Sequence, residues 1–231
     1  IFPSSPAGRW RLYLVGNPAV SDMTDTYFGL NPPFEYYVND ESTANDAWTM
    51  AIGSDTNTGF YPDVPKLTLK SLLQDVDLEP GDSIFINTGL YDMSDTNLWI
   101  RWEASDGVTS GAPVVVYGST NAAGTLLKST NALQHGVFFR VEASGVQLRD
   151  LRFAGESMEF IGNGLVVSNL SMTNRAGGTV SMVLVGEGAR FSDVQLDRGT
   201  LSVAGRSNRI ERLRQRWGTT TLAGTNVVLV N

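Results

Sequence analysis

The stretch Val146-Gln147-Leu148-Arg149-Asp150-Leu151-Arg152-Phe153 returns as Leu165-Val166-Val167-Ser168-Asn169-Leu170-Ser171-Met172, and again as Ala189-Arg190-Phe191-Ser192-Asp193-Val194-Gln195-Leu196. A weaker copy is Asn208-Arg209-Ile210-Glu211-Arg212-Leu213-Arg214-Gln215, and Val227-Val228-Leu229-Val230-Asn231 begins a fifth. The shared form is apolar, any residue, Asp or Asn, apolar, with Arg212 the one departure at the third place. Five residues before the first apolar position stands a small residue: Ala143, Gly162, Gly186, Gly205 and Gly224. Successive copies are 19, 24, 19 and 19 residues apart. A period this short holds two or three strands and has no room for a helix, so the units must stack as coils.

Stacking fixes what lies above what. With coils about 4.8 Å apart, Leu148, Val167, Phe191, Ile210 and Leu229 form one inward apolar column, and Leu151, Leu170, Val194 and Leu213 another. Between the columns run Asp150, Asn169, Asp193, Arg212 and Asn231. Asp and Asn tolerate the left-handed backbone and bond nearby main-chain groups, so this position reads as a sharp corner between strands. The fold expected is all-β: a right-handed parallel β-helix with a short amphipathic capping helix.

Upstream, Trp10-Arg11-Leu12-Tyr13-Leu14 alternates like a strand. Thr68 is suited to cap a helix whose Leu69, Leu72, Leu73 and Val76 share one face, with Glu79-Pro80-Gly81-Asp82 as its stop. Helix 68–77 would cover the open end of the coil, where apolar core and unpaired strand edges are otherwise exposed. The expected division is an extension over 1–35, a cap over 36–82 and coils over 83–231 that continue past Asn231. Neither end resembles a natural terminus: the chain starts Ile1-Phe2-Pro3 and stops within a strand pattern.

Composition agrees with this reading. The 231 residues include no cysteine, one histidine and 24 glycines, and 18% are charged, against about 25% in an average domain. Without cysteine there is neither a disulfide framework nor a thiolate zinc site. No apolar run is long enough for a membrane helix. The formal charge of −7 and a pI near 4.7 speak against nucleic acid as partner. Residues 1–100 carry 14 acidic and 4 basic groups, net −10, while residues 101–231 carry 10 and 13, net +3.

Tyr36-Tyr37-Val38-Asn39-Asp40, Gly53-Ser54-Asp55-Thr56-Asn57-Thr58-Gly59 and Pro65-Lys66-Leu67-Thr68-Leu69 resemble the amino-terminal module of bacterial extracellular right-handed parallel β-helix proteins. Pro80-Gly81-Asp82-Ser83-Ile84-Phe85-Ile86 and Thr88-Gly89-Leu90-Tyr91 resemble their first coil. The likeness covers residues 36–91, and the repeats extend it to the end. It implies the fold and leaves function open, because the module occurs both in pectate- and alginate-type polysaccharide lyases and in very large surface proteins.

Lyases of this group use a Lys or Arg base, often beside Ca²⁺. Here Lys66, Lys70 and Lys128 all lie off the phased coils, and arginine gives up its proton only in a special site. Arg206, Arg209, Arg212, Arg214 and Arg216 cluster late, with Arg209 one coil above Arg190. Arg190, Arg209, Arg214 and Arg216 are therefore the candidates for gripping an anionic glycan, set against a plain solvated face eased by Glu187, Glu211 and Asp193. Trp99 is the candidate for stacking on a sugar, with Trp102 as its alternating neighbour and core packing as the alternative. Asp150 and Asp193 sit two coils apart and read as corner residues rather than as a glycosidase pair. Asp55 and Asn57 are the candidate Ca²⁺ ligands, although their loop lacks the rest of an EF-hand. His135 has no Ser or Cys arrangement around it, and the sequon Asn169-Leu170-Ser171 lies on a corner.

The function expected is a secreted or cell-surface module of structural or adhesive role that binds polysaccharide or another surface component. Its main rival is the first part of a polysaccharide lyase acting on an acidic glycan. The third reading is a self-associating filament or layer subunit. No insertion into a membrane is expected.

Overall fold

The computed structural model describes residues 33–93, 112–128, 139–155, 157–174 and 178–230, and the backbone alone of 11–14, 17–23 and 100–102. The alternation around Leu12 forms a strand, Arg11–Leu14, which pairs antiparallel with Asn17–Met23. The pairings between the remaining described strands are parallel. Among the described residues the only helix is Leu69–Asp75.

Two parallel sheets share the strands, and the chain passes back and forth between them. One sheet runs Glu35–Val38, Ser83–Ile86, Val114–Gly118, Val146–Ala154, Val166–Thr173, Arg190–Asp197, Arg209–Glu211, Val228–Val230. The other runs Ile100–Trp102, Phe139–Val141, Ser157–Ile161, Val180–Glu187, Gly199–Arg206, Thr220–Thr225. The registers are those the repeat requires: Leu148 opposite Val167, Val167 opposite Phe191, Phe191 opposite Ile210, Ile210 opposite Leu229. Leu148, Val167, Phe191 and Ile210 are buried between the sheets with Leu151, Leu170, Val194 and Leu213. Such an all-β stack of parallel strands fits a β-helix.

The corner column adopts the backbone its residue types favour. Asp150, Asn169, Asp193 and Arg212 have φ of 59°, 51°, 54° and 51°. One left-handed residue folds each long strand into two arms, so Val146–Ala154 pairs with Val114–Gly118 before the corner and with Thr125–Lys128 after it. Side chains also link the corners. Asn169 Nδ2 donates to Asp150 Oδ1 at 2.7 Å. Arg212 is the residue least suited to this backbone, yet its guanidinium donates to both Asp193 carboxylate oxygens at 2.7 Å.

The helix starts as its sequence predicts. Thr68 is extended, and its hydroxyl accepts from Ser71 N at 3.0 Å. Leu69 and Leu72 are buried in the same core as Val38, Ile84 and Ile86, with Leu73 and Val76 packed against it. Its end differs from expectation. Val76 is already extended, and Glu79-Pro80-Gly81-Asp82 is a separate turn, with Gly81 at φ 97° and Asp82 N donating to Glu79 O. The reason is packing: Leu78 is also buried. A helix would turn Leu78 away from the face of Val76, whereas extended backbone brings alternate residues to one side.

The first coil's outer edge is occupied. Tyr37 N donates to Gly59 O, Lys66 N to Tyr37 O and Asn39 N to Lys66 O, at 2.8–2.9 Å. Segment 59–66 thereby uses the ladder groups of Glu35–Val38 that would otherwise template another strand.

Candidate functional site

The coils place the four candidate arginines on two faces rather than one. Arg190 and Arg209 are exposed and directly opposed in register, before the corner. Arg209 is ion-paired with Glu211, which offsets the like charge beneath it. Beyond the corner, Arg214 stacks on Gln195 and Arg216 on Asp197, both exposed. The left-handed residues Asp193 and Arg212 separate the pairs.

The second face carries an aromatic residue that sequence reading passed over. Trp217 is 61% exposed, with the Arg216 guanidinium carbon 4.4 Å and that of Arg198 5.5 Å from its ring centroid. Both Arg198 and Trp217 have φ of 52° and precede a glycine. They are one 19-residue period apart, and Arg198 N donates to Arg216 O at 2.6 Å. This second corner is tight: a Cβ on Gly218 would fall 1.6 Å from Gly199 O. Bulk is therefore directed outward, onto Trp217. Thr179, Gly199, Thr200 and Gly218 complete a shallow depression of about 420 Å³ beside Arg198 and Trp217. The signal for Trp217 was present in the period, since Arg198-Gly199 and Trp217-Gly218 occupy the same phase.

Such a face combines an exposed aromatic ring with two positive charges. The indole stays 61% exposed with two guanidinium groups over its ring, and a guanidinium so placed can take a carboxylate through two parallel hydrogen bonds while the uncovered part of the indole meets C–H groups. Cation–π contact with Arg198 and Arg216 orients both charges around the ring.

The remaining candidates are placed elsewhere. Asp55 Oδ1 accepts from Thr68 N and Thr68 Oγ1, and its carbonyl accepts from Lys66 Nζ. Asn57 Nδ2 donates to Pro65 O. Both residues fasten the cap loop to the helix start, and among the described residues no three acidic or histidine side chains converge as a metal site. Lys66 is 3% exposed and paired with Asp75, which removes it from any substrate. Asp150 and Asp193 are corner residues bonded to Asn169 and Arg212. Trp99 and His135 lie outside the described residues, and of Trp102 only the backbone is described.

Hydrogen bonds and charge from Arg212 hold the Asp193 carboxyl below the usual carboxylate range. A depressed folded-state pKa stabilises above the unfolded value, and that contribution is lost as pH falls through the folded one. In Arg212→Ala the Asp193 carboxyl followed by NMR should titrate at higher pH, within the ordinary carboxylate range. An unmoved midpoint would show that the pair does not form in solution.

No protein-family model matches this chain, and no curated protein does. A rhamnogalacturonan lyase is similar in structure, with a TM-score of 0.39 and 15% identity over 86% of this chain and 62% of the lyase chain. The chain thus spans about three fifths of the length of that protein.

Proposed function

We propose that this chain is a right-handed parallel β-helix module of the cell surface or extracellular space that binds an acidic polysaccharide without cleaving it. The observation that carries the reading is Trp217, exposed and flanked by Arg198 and Arg216. The resemblance of residues 36–91 to the caps of bacterial extracellular β-helix proteins supports the location. A structural or adhesive role follows from a ligand that is a long polymer meeting a rigid coil. Arg190 and Arg209, on the other side of the Asp193–Arg212 corner, form a separate strip in which Arg209 is already paired with Glu211, and the proposed contact does not depend on them.

Retention on immobilised polygalacturonate, compared with a neutral glucan, tests this. Trp217→Ala should weaken retention of the whole chain about tenfold, which corresponds to about 1.4 kcal/mol, with circular dichroism unchanged. Arg216→Gln should weaken it less, and added salt should abolish the preference for the acidic polymer. Equal retention of wild type and Trp217→Ala would remove the reading. Release of unsaturated oligosaccharide from the polymer would replace it with the lyase alternative.

A further inference from the structure

We infer that a separate cleft at the cap end binds a small organic cation, one bearing a protonated or quaternary nitrogen. The inference is independent of the arginine–tryptophan face. The cleft has a volume of about 690 Å³, within the range of ordinary small-ligand sites. Phe34, Tyr36 and Phe60 form its aromatic wall, with centroids 5.4–6.2 Å apart and planes inclined by 39–58°. Tyr61, 65% exposed, stands at the rim. Tyr36 is 3% exposed and Phe34 and Phe60 are only partly buried against it, so the cleft has an aromatic side, of the kind that attracts an alkylammonium group.

Charge selects among ligands that could use those rings. Glu35 and Asp77 line the cleft, and among the described residues no lysine or arginine does. Among the described residues neither carboxylate has a basic partner, while Asp75 at the same wall is taken by Lys66. Tyr37 donates its hydroxyl to Glu35 Oε2 at 2.7 Å, which holds that carboxylate at the edge. Burial first, and then the charge and hydrogen bond of Asp82 and the charges of Glu79 and Asp77, push the Tyr36 phenol far above its ordinary pKa. An anion meets repulsion here. A neutral apolar molecule gains from the rings but nothing from the carboxylates. An organic cation uses both.

Choline is the probe, titrated into the whole chain by calorimetry or NMR. Its neutral isostere 3,3-dimethylbutan-1-ol keeps the shape and removes the charge. Choline should bind saturably, and the alcohol about tenfold more weakly or worse. Glu35→Gln combined with Asp77→Asn should weaken choline about fivefold, and Tyr61→Ala by a similar factor. All three side chains are exposed, so the fold should be retained. Trp217→Ala should leave choline binding unchanged, which separates this site from the polysaccharide face. Absence of saturable choline binding, equal binding of the alcohol, or an unaffected double variant would each overturn the inference.

Discussion

Gly205→Ala is expected to destabilise the protein by about 3 kcal/mol or more, read as a lower urea midpoint. The cause is the closeness of successive coils at one corner. A Cβ on Gly205 would lie 1.8 Å from Gly186 O, a backbone atom that cannot swing aside as a side chain could. The same contact repeats up the column: Gly186 against Gly162 O at 1.9 Å, and Gly224 against Gly205 O at 2.0 Å. Gly205 adds a φ of 118°, which L side chains rarely adopt. Relief would require a coil to lift away from its neighbour, straining ladder hydrogen bonds between Gly199–Arg206 and Val180–Glu187. Gly188→Ala is the control, because Gly188 has φ 69° but open space where the Cβ would go. It should cost only about 1 kcal/mol, for the backbone conformation alone. Equal losses at the two positions would show that the stacked corner is looser than its geometry states.

That glycine column was legible in the sequence because one physical demand recurs in each coil. The apolar columns and the left-handed corners were legible for the same reason: Asp150, Asn169 and Asp193 repeat both a phase and a backbone preference. Features that do not repeat were harder to read. Asn208 occupies the phase of Val146, Leu165, Ala189 and Val227, and looks like a flaw in an apolar column. It is fully buried, and its side chain bonds only main-chain groups, two of them on the preceding coil: Oδ1 accepts from Ala189 N, and Nδ2 donates to Gly186 O and to the nearby Ala204 O. A similar cluster joins the cap to the first coils. Asn87 Oδ1 accepts from Ala47 N, its Nδ2 donates to Thr49 Oγ1, and the Thr125 hydroxyl lies 2.8 Å from the carbonyls of Ile86 and Asn87, with its one proton donated to either or shared between them. No spacing rule announces partners some 40 residues away.

The candidate site shows the same division. Register was readable, so Arg209 over Arg190 and Arg212 over Asp193 lie where the period puts them. Direction was not, because the sequence does not say how far a left-handed residue turns the chain. Arg214 and Arg216 therefore lie beyond the corner from Arg190 and Arg209, and Arg216 reaches Trp217, whose importance comes from a corner that only the coil geometry defines.

Phe191→Ala should cost about 3–5 kcal/mol, the usual range for emptying an aromatic core position. Phe191 is the bulkiest member of its column and 1% exposed. It meets Phe160, from the other sheet, edge to face with centroids 5.4 Å apart. Neither ring can follow the other into the space left by a deletion, because each is held in parallel register on both sides. Phe191→Leu keeps much of the volume and should cost under about 1.5 kcal/mol. The position also tests whether the binding face depends on the core beneath it, since Arg190 and the Asp193 corner lie on the same strand. Phe191→Leu should leave retention on polygalacturonate unchanged while lowering the urea midpoint, because the Trp217 corner is set by Gly199 and Gly218 and not by this ring. A loss below about 1 kcal/mol in Phe191→Ala would mean that the two sheets do not close on Phe191 in solution.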